Sequence, residues 1–317
     1  MNLLLERYVL FVGVALSTFF GFWVCPARAE SPGPDRSGFY QYEQGGLKIT
    51  ALYDGYVELD IGLFKGMDFE GIAHLLKRDA SDRRRVEASV NAFLVETGGR
   101  LILVDTGAEH CFGSKMGQTL DHLRASGYAP EAIGTIVLTH LHPDHVCGLL
   151  DKEGKRAFPK ADVWADKEDA DAWLGEAGTN AAPEGNRAFF ETIEPYQTAG
   201  HFHTFSFGVS FLPGLKAMPT PGHTFGHTSF LFESKAQEVL VWGDIVHNAP
   251  IQFPHPEVSL AYDTDQGLAA KTRLGLLKRA SEGDWLVAGA HLPFPGLGHV
   301  RKEGEGFVWI PVGDGSR

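Results

Sequence analysis

The stretch Leu138–Leu149, "LTHLHPDHVCGL", constrains this chain more than any other. Three imidazoles and a carboxylate crowd into His140–His145, directly behind the apolar run "AIGTIVL" at residues 132–138. That run reads as a buried strand stopped by Pro143. A strand ending in His-x-His-x-Asp-His delivers several costly polar groups to one point at a sheet edge. A polar turn decorated with surface histidines accounts for one such residue, but not for this spacing. Imidazole and carboxylate together suit a borderline cation such as zinc.

The rest of the chain is patterned to give that strand a sheet. "SVNAFLVETGGRLILVDTG" (89–107) reads as a hairpin turning at Gly98-Gly99. "GLKITALYDGYVEL" (46–59) reads as strand, turn, strand, and "ADVWAD" as a short strand leading into a capped helix, "DKEDADAWLG". Residues 115–128 have helical spacing and stop at Gly127. Further on, "GVSFLPGLKAMPT", "TSFLFES", "EVLVWGD", "DWLVAG" and "GFVWIP" read as strands, the second and third as a hairpin. Residues 263–280 read as an amphipathic helix with Leu268, Leu274 and Leu277 on its apolar side. Two strand-rich halves, each with helices for only one sheet face, predict an α/β fold: a four-layer sandwich of helix, sheet, sheet and helix. With 317 residues, 44% of them apolar, the chain can bury one substantial core, and no linker divides residues 30–317.

The first 29 residues are set apart. Arg7, an apolar run from Tyr8 to Cys25 and the small residues Ala27 and Ala29 predict an export signal cleaved after Ala29. The run is long for a signal and short for a span, so a membrane association is expected only if the segment stays uncleaved. The expected destination is a bacterial periplasm or the exterior. A net charge of −12 argues against a nucleic-acid partner, and the basic cluster at 77–87 is interleaved with acids, as on a solvated loop or helix face. Cys111 and Cys147 remain after processing. They could pair, but Cys147 as a buried thiol two residues from His145 is at least as well supported by spacing.

Other ligand-type residues obey the rule of the first motif. Asp105 ends "LILVD", His223 follows the strand near Ala217–Thr220, Asp244 ends "VLVWGD" and His291 ends "WLVAGAH". Each lies at the tail of an apolar run, where open sheets place their sites. These segments, "HLHPDH", "PGHTFGHTS", "WGD" and "AGAH", resemble the metallo-β-lactamase superfamily over nearly all of residues 30–317. The segments "SVNAFLVETGGRLILVDTGA", "GDIVHNAPIQFPHPEVSLAYDTD" and "HLPFPGLGHVRKEGEGFVWIPV" resemble more closely its methyl parathion hydrolase branch, exported relatives of quorum-quenching lactonases.

That resemblance implies two zinc ions. His140, His142 and His223 would bind the first and Asp144, His145 and His291 the second, with Asp244 bridging and Asp105 orienting ligands. It also implies an aromatic pocket from Phe112, Trp173 and Phe189 or Phe190, with Trp173 as a core anchor of its helix the competing reading. Cys147 departs from the family, which usually has glycine there. Two divalent cations roughly 3.5 Å apart would activate a bridging water as hydroxide and polarise the substrate, with Asp144 and Asp244 offsetting their charge. The expectation is a hydrolase of a lactone, ester or phosphotriester with a small-molecule substrate, in a chain that could form a homodimer. The competing readings are an iron-dependent oxidoreductase resembling persulfide dioxygenases, a glyoxalase II-like thioesterase and a non-catalytic periplasmic zinc-binding protein.

Overall fold

The computed structural model describes residues 38–77, 85–175, 187–208 and 212–313. The expected export signal, residues 1–29, lies outside these residues.

Among the described residues, fifteen strands form two main sheets and one small pair. In the first half these are β1 (Phe39–Gln44), β2 (Leu47–Asp60), β3 (Phe64–Lys65), β4 (Arg85–Thr97), β5 (Arg100–Val104), β6 (Thr135–Val137), β7 (Asp162–Asp166) and β8 (Phe202–Phe205). In the second they are β9 (Leu215–Pro219), β10 (Thr228–Ser234), β11 (Gln237–Val241), β12 (Ser259–Leu260), β13 (Leu286–Ala288), β14 (Leu297–Glu303) and β15 (Gly306–Pro311). One sheet runs β1-β2-β4-β5-β6-β7-β8, the other β15-β14-β13-β11-β10-β9, and β3 pairs with β12. The helices are α1 (Phe69–Leu75), α2 (Thr119–Ala125), α3 (Pro143–Val146), α4 (Lys167–Leu174), α5 (Arg187–Thr198), α6 (Ala249–Gln252) and α7 (Gln266–Gly283).

Period-two alternation sorts the side chains into layers. Phe93, Val95, Ile102 and Val104 pack into the space between the sheets, against Phe230, Phe232, Val239 and Val241. Their sequence neighbours Leu94 and Leu103 point the other way, into a cluster with Leu123 of α2 and Ile193 and Tyr196 of α5. On the far face of the second sheet, Leu231, Leu240 and Trp242 pack with Leu276, Leu277 and Ala280 of α7. The fold is thus the expected four-layer α/β sandwich.

Several local expectations differ. The stretch read as strand, turn, strand is one strand: β2 pairs with β4 from Lys48 to Asp60, and the Asp54-Gly55 turn signal is only a bulge. Gly55 has φ 141°, and a Cβ there would meet the Lys115 carbonyl at 2.1 Å. The strand ahead of His140 spans only Thr135–Val137, and the helix in 115–128 only Thr119–Ala125. Arg85–Glu87 belong to β4 rather than to a solvated loop or helix, because Val86 is buried; residues 78–84 lie outside the described residues. On α7 the buried stripe is Ala269, Arg273, Leu276, Leu277 and Ala280, while Leu268 and Leu274 are exposed. Arg273 explains the rotation. Its guanidinium donates to the carbonyls of Ile245, Pro256 and Val258 at 2.6–2.9 Å, which turns a charged residue inward. Cys111 and Cys147 form a disulfide rather than leaving a free thiol near the histidines.

Candidate metal centre

The carboxyl ends of the central strands meet along one edge of the sandwich. Asp105 follows β5, His140–His145 follow β6, His223 follows β9, Asp244 follows β11 and His291 follows β13. The structure brings all of these together. His140, His142, His223 and Asp244 form one group of converging ligand atoms, and Asp144, His145 and His291 another. A third group shares Asp244 and His291 with His247, a residue given no role from sequence.

Within the first group the ring nitrogens face one another. His140 Nε2 and His223 Nε2 lie 2.9 and 3.0 Å from His142 Nδ1. The far ring nitrogens of His140, His145, His223 and His291 are held from outside the cluster. His145 Nδ1 donates to Asp105 Oδ2 at 2.8 Å, His223 Nδ1 to Asp263 Oδ1 at 2.7 Å and His291 Nδ1 to the Ser89 carbonyl at 2.8 Å. His140 Nδ1 lies 3.0 Å from Thr139 Oγ1, whose own proton goes to Asp105 Oδ2 at 2.8 Å. These partners orient the rings so that Nε2 points inward. Asp105, to which the resemblance gives an orienting role, lies behind the rings of His140 and His145, at a left-handed φ of 60° that a short acidic residue tolerates.

The electrostatics fit a cation. Burial, helped by neighbouring imidazoles, keeps the pKa of His140 and His142 well below the usual histidine value, leaving neutral rings. Burial opposes a charge on His145 too, but Asp244, Asp144 and Asp105 outweigh it and lift its pKa well above normal. Burial would raise the Asp244 carboxyl. The imidazoles of His145, His291, His140 and His247 overcome that and hold it well below the carboxylate range. His145 Nε2 and Asp244 Oδ1 are buried without a hydrogen-bond partner although only 3.2 Å apart. Orphaned donor atoms of this kind, aimed into one space by oriented rings, are what divalent ions would complete.

A cavity of about 690 Å³ opens onto the cluster, with His142, Asp144, Asp244, His247 and His291 at its floor. Phe112 and Trp173 are in its wall, and Trp173 meets the His142 ring edge-on at 5.3 Å. Trp173 also packs against the core cluster beneath α4, so it serves both readings at once. Phe189 and Phe190 fall on the first turn of α5, and their side chains lie outside the described residues. Besides His247, three residues missed from sequence shape the site. Tyr262 lines the cavity against the rings of His223 and His247, and burial, then Asp244 and Asp144, raise its pKa, so it remains a hydroxyl donor. Asp263 orients His223, and His227 Nε2 accepts the Asp244 backbone N–H at 3.0 Å. The histidine in "FGH" was visible as a second imidazole in its loop, but nothing local distinguishes a ligand from a brace.

Residues 85–291 match the metallo-beta-lactamase superfamily. The chain belongs to that superfamily. Among solved structures it is similar to the hydrolase AbOPH, at 39% identity and a TM-score of 0.81, with 87% of this chain and 97% of that one covered. It is also similar to AidC, a dizinc quorum-quenching lactonase crystallised with an N-hexanoyl-homoserine product, at 28% identity and a TM-score of 0.78, covering 86% and 97%. A probable metallo-hydrolase of Streptococcus pyogenes serotype M6 is 29% identical over 176 residues, 52% of this chain; the match spans 65% of that protein's length. The chain thus shares its superfamily with probable metallo-hydrolases and has lactonases among its structural neighbours.

Proposed function

We propose that this chain is an exported binuclear zinc hydrolase acting on a lactone, an ester or a phosphotriester. The observation that carries the reading is the position of Asp244. Its Oδ2 lies 3.1 Å from His291 Nε2, 3.2 Å from His223 Nε2 and 3.6 Å from His140 Nε2, and its Oδ1 lies 3.2 Å from His145 Nε2. A carboxylate facing both histidine sets is in position to bridge two ions. Two zinc ions held by these residues would supply Lewis acidity and lower the pKa of water toward neutrality.

The chain's own residues do the rest. The outer partners of His140, His145, His223 and His291 hold the rings, so that little reorganisation is needed. Asp144 and Asp244 offset cationic charge at the floor. Phe112, Met116, Val57 and Trp173 give the cavity an apolar wall suited to an acyl or aryl arm, and Tyr262 gives it a hydroxyl donor. Arg85 and Lys115 also line the cavity but lie 3.7 and 3.1 Å from Glu58, which favours uncharged substrates. The dizinc lactonase AidC supports both the metal and the lactone, and the leader-like residues 1–29 support export.

Metal quantitation on protein from its native source should find about two zinc-like ions per chain. A panel of an acyl-homoserine lactone, an aryl ester, methyl parathion and a cephalosporin should then show turnover of the first three classes above the last. Trp173→Ala should raise KM for the long-chain or aryl substrates and leave a small ester little changed. One iron per chain with oxygen uptake would overturn the reading.

A further inference from the structure

The short helix α4 touches both loops that carry the first histidine group. Asp169, on its first turn, is wholly buried, and no Lys, Arg or His lies within ion-pair distance of it among the described residues. Its carboxylate accepts three hydrogen bonds from two separate segments. Oδ1 takes the Gly226 N–H at 2.7 Å, and Oδ2 takes the Thr224 hydroxyl at 2.8 Å and the Leu141 N–H at 3.3 Å. Leu141 stands between His140 and His142. Thr224 and Gly226 stand between His223 and His227, the residue that receives the Asp244 N–H. One carboxylate therefore ties together the loops holding all three imidazoles of the first group. One turn further along α4, Trp173 packs on the His142 ring from the cavity side.

A buried carboxylate without a cation beside it is costly unless donors surround it. Here every partner is a donor, so no neutral isostere can replace it: the amide of an asparagine would turn an NH2 toward one of the two loops. The seat for the second loop is tight as well. A Cβ on Gly226 would lie 2.1 Å from Asp166 Oδ1 and 2.7 Å from the Asp169 backbone nitrogen.

We propose that Asp169 is a positioning residue for the first metal position: by clamping the 140–142 and 223–227 loops to α4 it sets the spacing of His140, His142 and His223, and through that spacing the affinity of that position for its ion. The proposal rests on the two-ion reading above. It differs from a merely structural role in acting on one metal position and not on the other, whose ligands Asp144, His145 and His291 it does not touch.

The test is a zinc titration of metal-free protein against a chromophoric chelator, repeated with cobalt and read by its visible spectrum. Asp169→Asn and Gly226→Ala should each weaken one zinc equivalent by about 10- to 100-fold and leave the other unchanged. The weakened equivalent should be the one lost in His223→Ala. Gly226→Ala displaces the same loop with Asp169 intact, so it carries the test if the asparagine variant fails to fold. Two equivalents bound as in the wild type, even with a lower Tm, would overturn the proposal, and so would equal weakening of both. If the wild type binds only one equivalent, the two-ion reading falls, and Asp169 is judged on whether its substitution weakens that one.

Discussion

At the scale of single residues, the site depends on groups that never face the cavity. His227 is fully buried, with Nδ1 3.1 Å from the Thr220 carbonyl and Nε2 accepting from the Asp244 backbone, so its ring must be neutral. Burial, together with the charge of His223, pushes its pKa down to about 3. In the unfolded chain the same ring protonates near pH 6.5. The unfolded state therefore binds the extra proton first. The contribution of His227 to stability is complete above about pH 6.5 and is lost as pH falls toward 3. The full span corresponds to something on the order of 5 kcal/mol. Urea unfolding of metal-free protein between pH 4 and 8 should show stability falling below pH 6.5, and His227→Gln should flatten that slope. An identical slope in the variant would assign the acid sensitivity to other groups.

At the scale of elements, the connections between secondary structures carry much of the order around the cavity. The disulfide links the 3-10 turn Glu109–Phe112, which bears the wall residue Phe112, to the turn that follows α3 and its ligands. Asp54 strengthens the same region by accepting the backbone N–H groups of Ala108, Gly117 and Thr119. The cysteines are 36 residues apart, and closing a loop of that size restricts the unfolded chain by about 3–4 kcal/mol. Cys111→Ser with Cys147→Ala should lower the stability of metal-free protein by about that amount in a denaturant titration. A loss below about 1 kcal/mol would show that hydrogen bonds alone fix this turn. The rotation of α7 belongs here too. Leucine spacing favoured one face, yet the carbonyls of Ile245, Pro256 and Val258 offered Arg273 a set of partners that only the other face could reach.

For the molecule as a whole, the candidate centre is a seam. His140, His142, Asp144 and His145 come from the first sheet's edge, and His223, Asp244 and His291 from the second. Ions held by both would bind the folded chain and not the unfolded one, so each adds stability by mass action, about 4 kcal/mol at a thousandfold excess over Kd. Stripping metal with a chelator should therefore lower Tm by several degrees, and zinc should restore it. His223→Ala and His291→Ala should each keep only part of the zinc-dependent rise. A Tm indifferent to chelation in protein shown to bind metal would mean that the seam holds without the ions.

By itself the sequence determined the layered fold and the location of the chemistry. Both are written in short-range patterns: alternation in "NAFLVET" and "RLILV" sorts side chains between two faces, and apolar runs ending in His or Asp mark the edge where sites form. Only the tertiary structure decided what holds those residues in place. His223 finds Asp263 40 residues away, His291 finds the Ser89 carbonyl 202 residues away, and Asp169 reaches Leu141 and Gly226 from a helix between them. It also decided that Cys111 pairs with Cys147, that β2 runs unbroken through Asp54-Gly55 and that α7 turns a charge inward. A contact between distant segments leaves no periodic trace in either of them. It exists only once the sheets have packed and water has left the space between, when each buried polar atom must find a partner among whatever groups the fold has brought within about 3 Å.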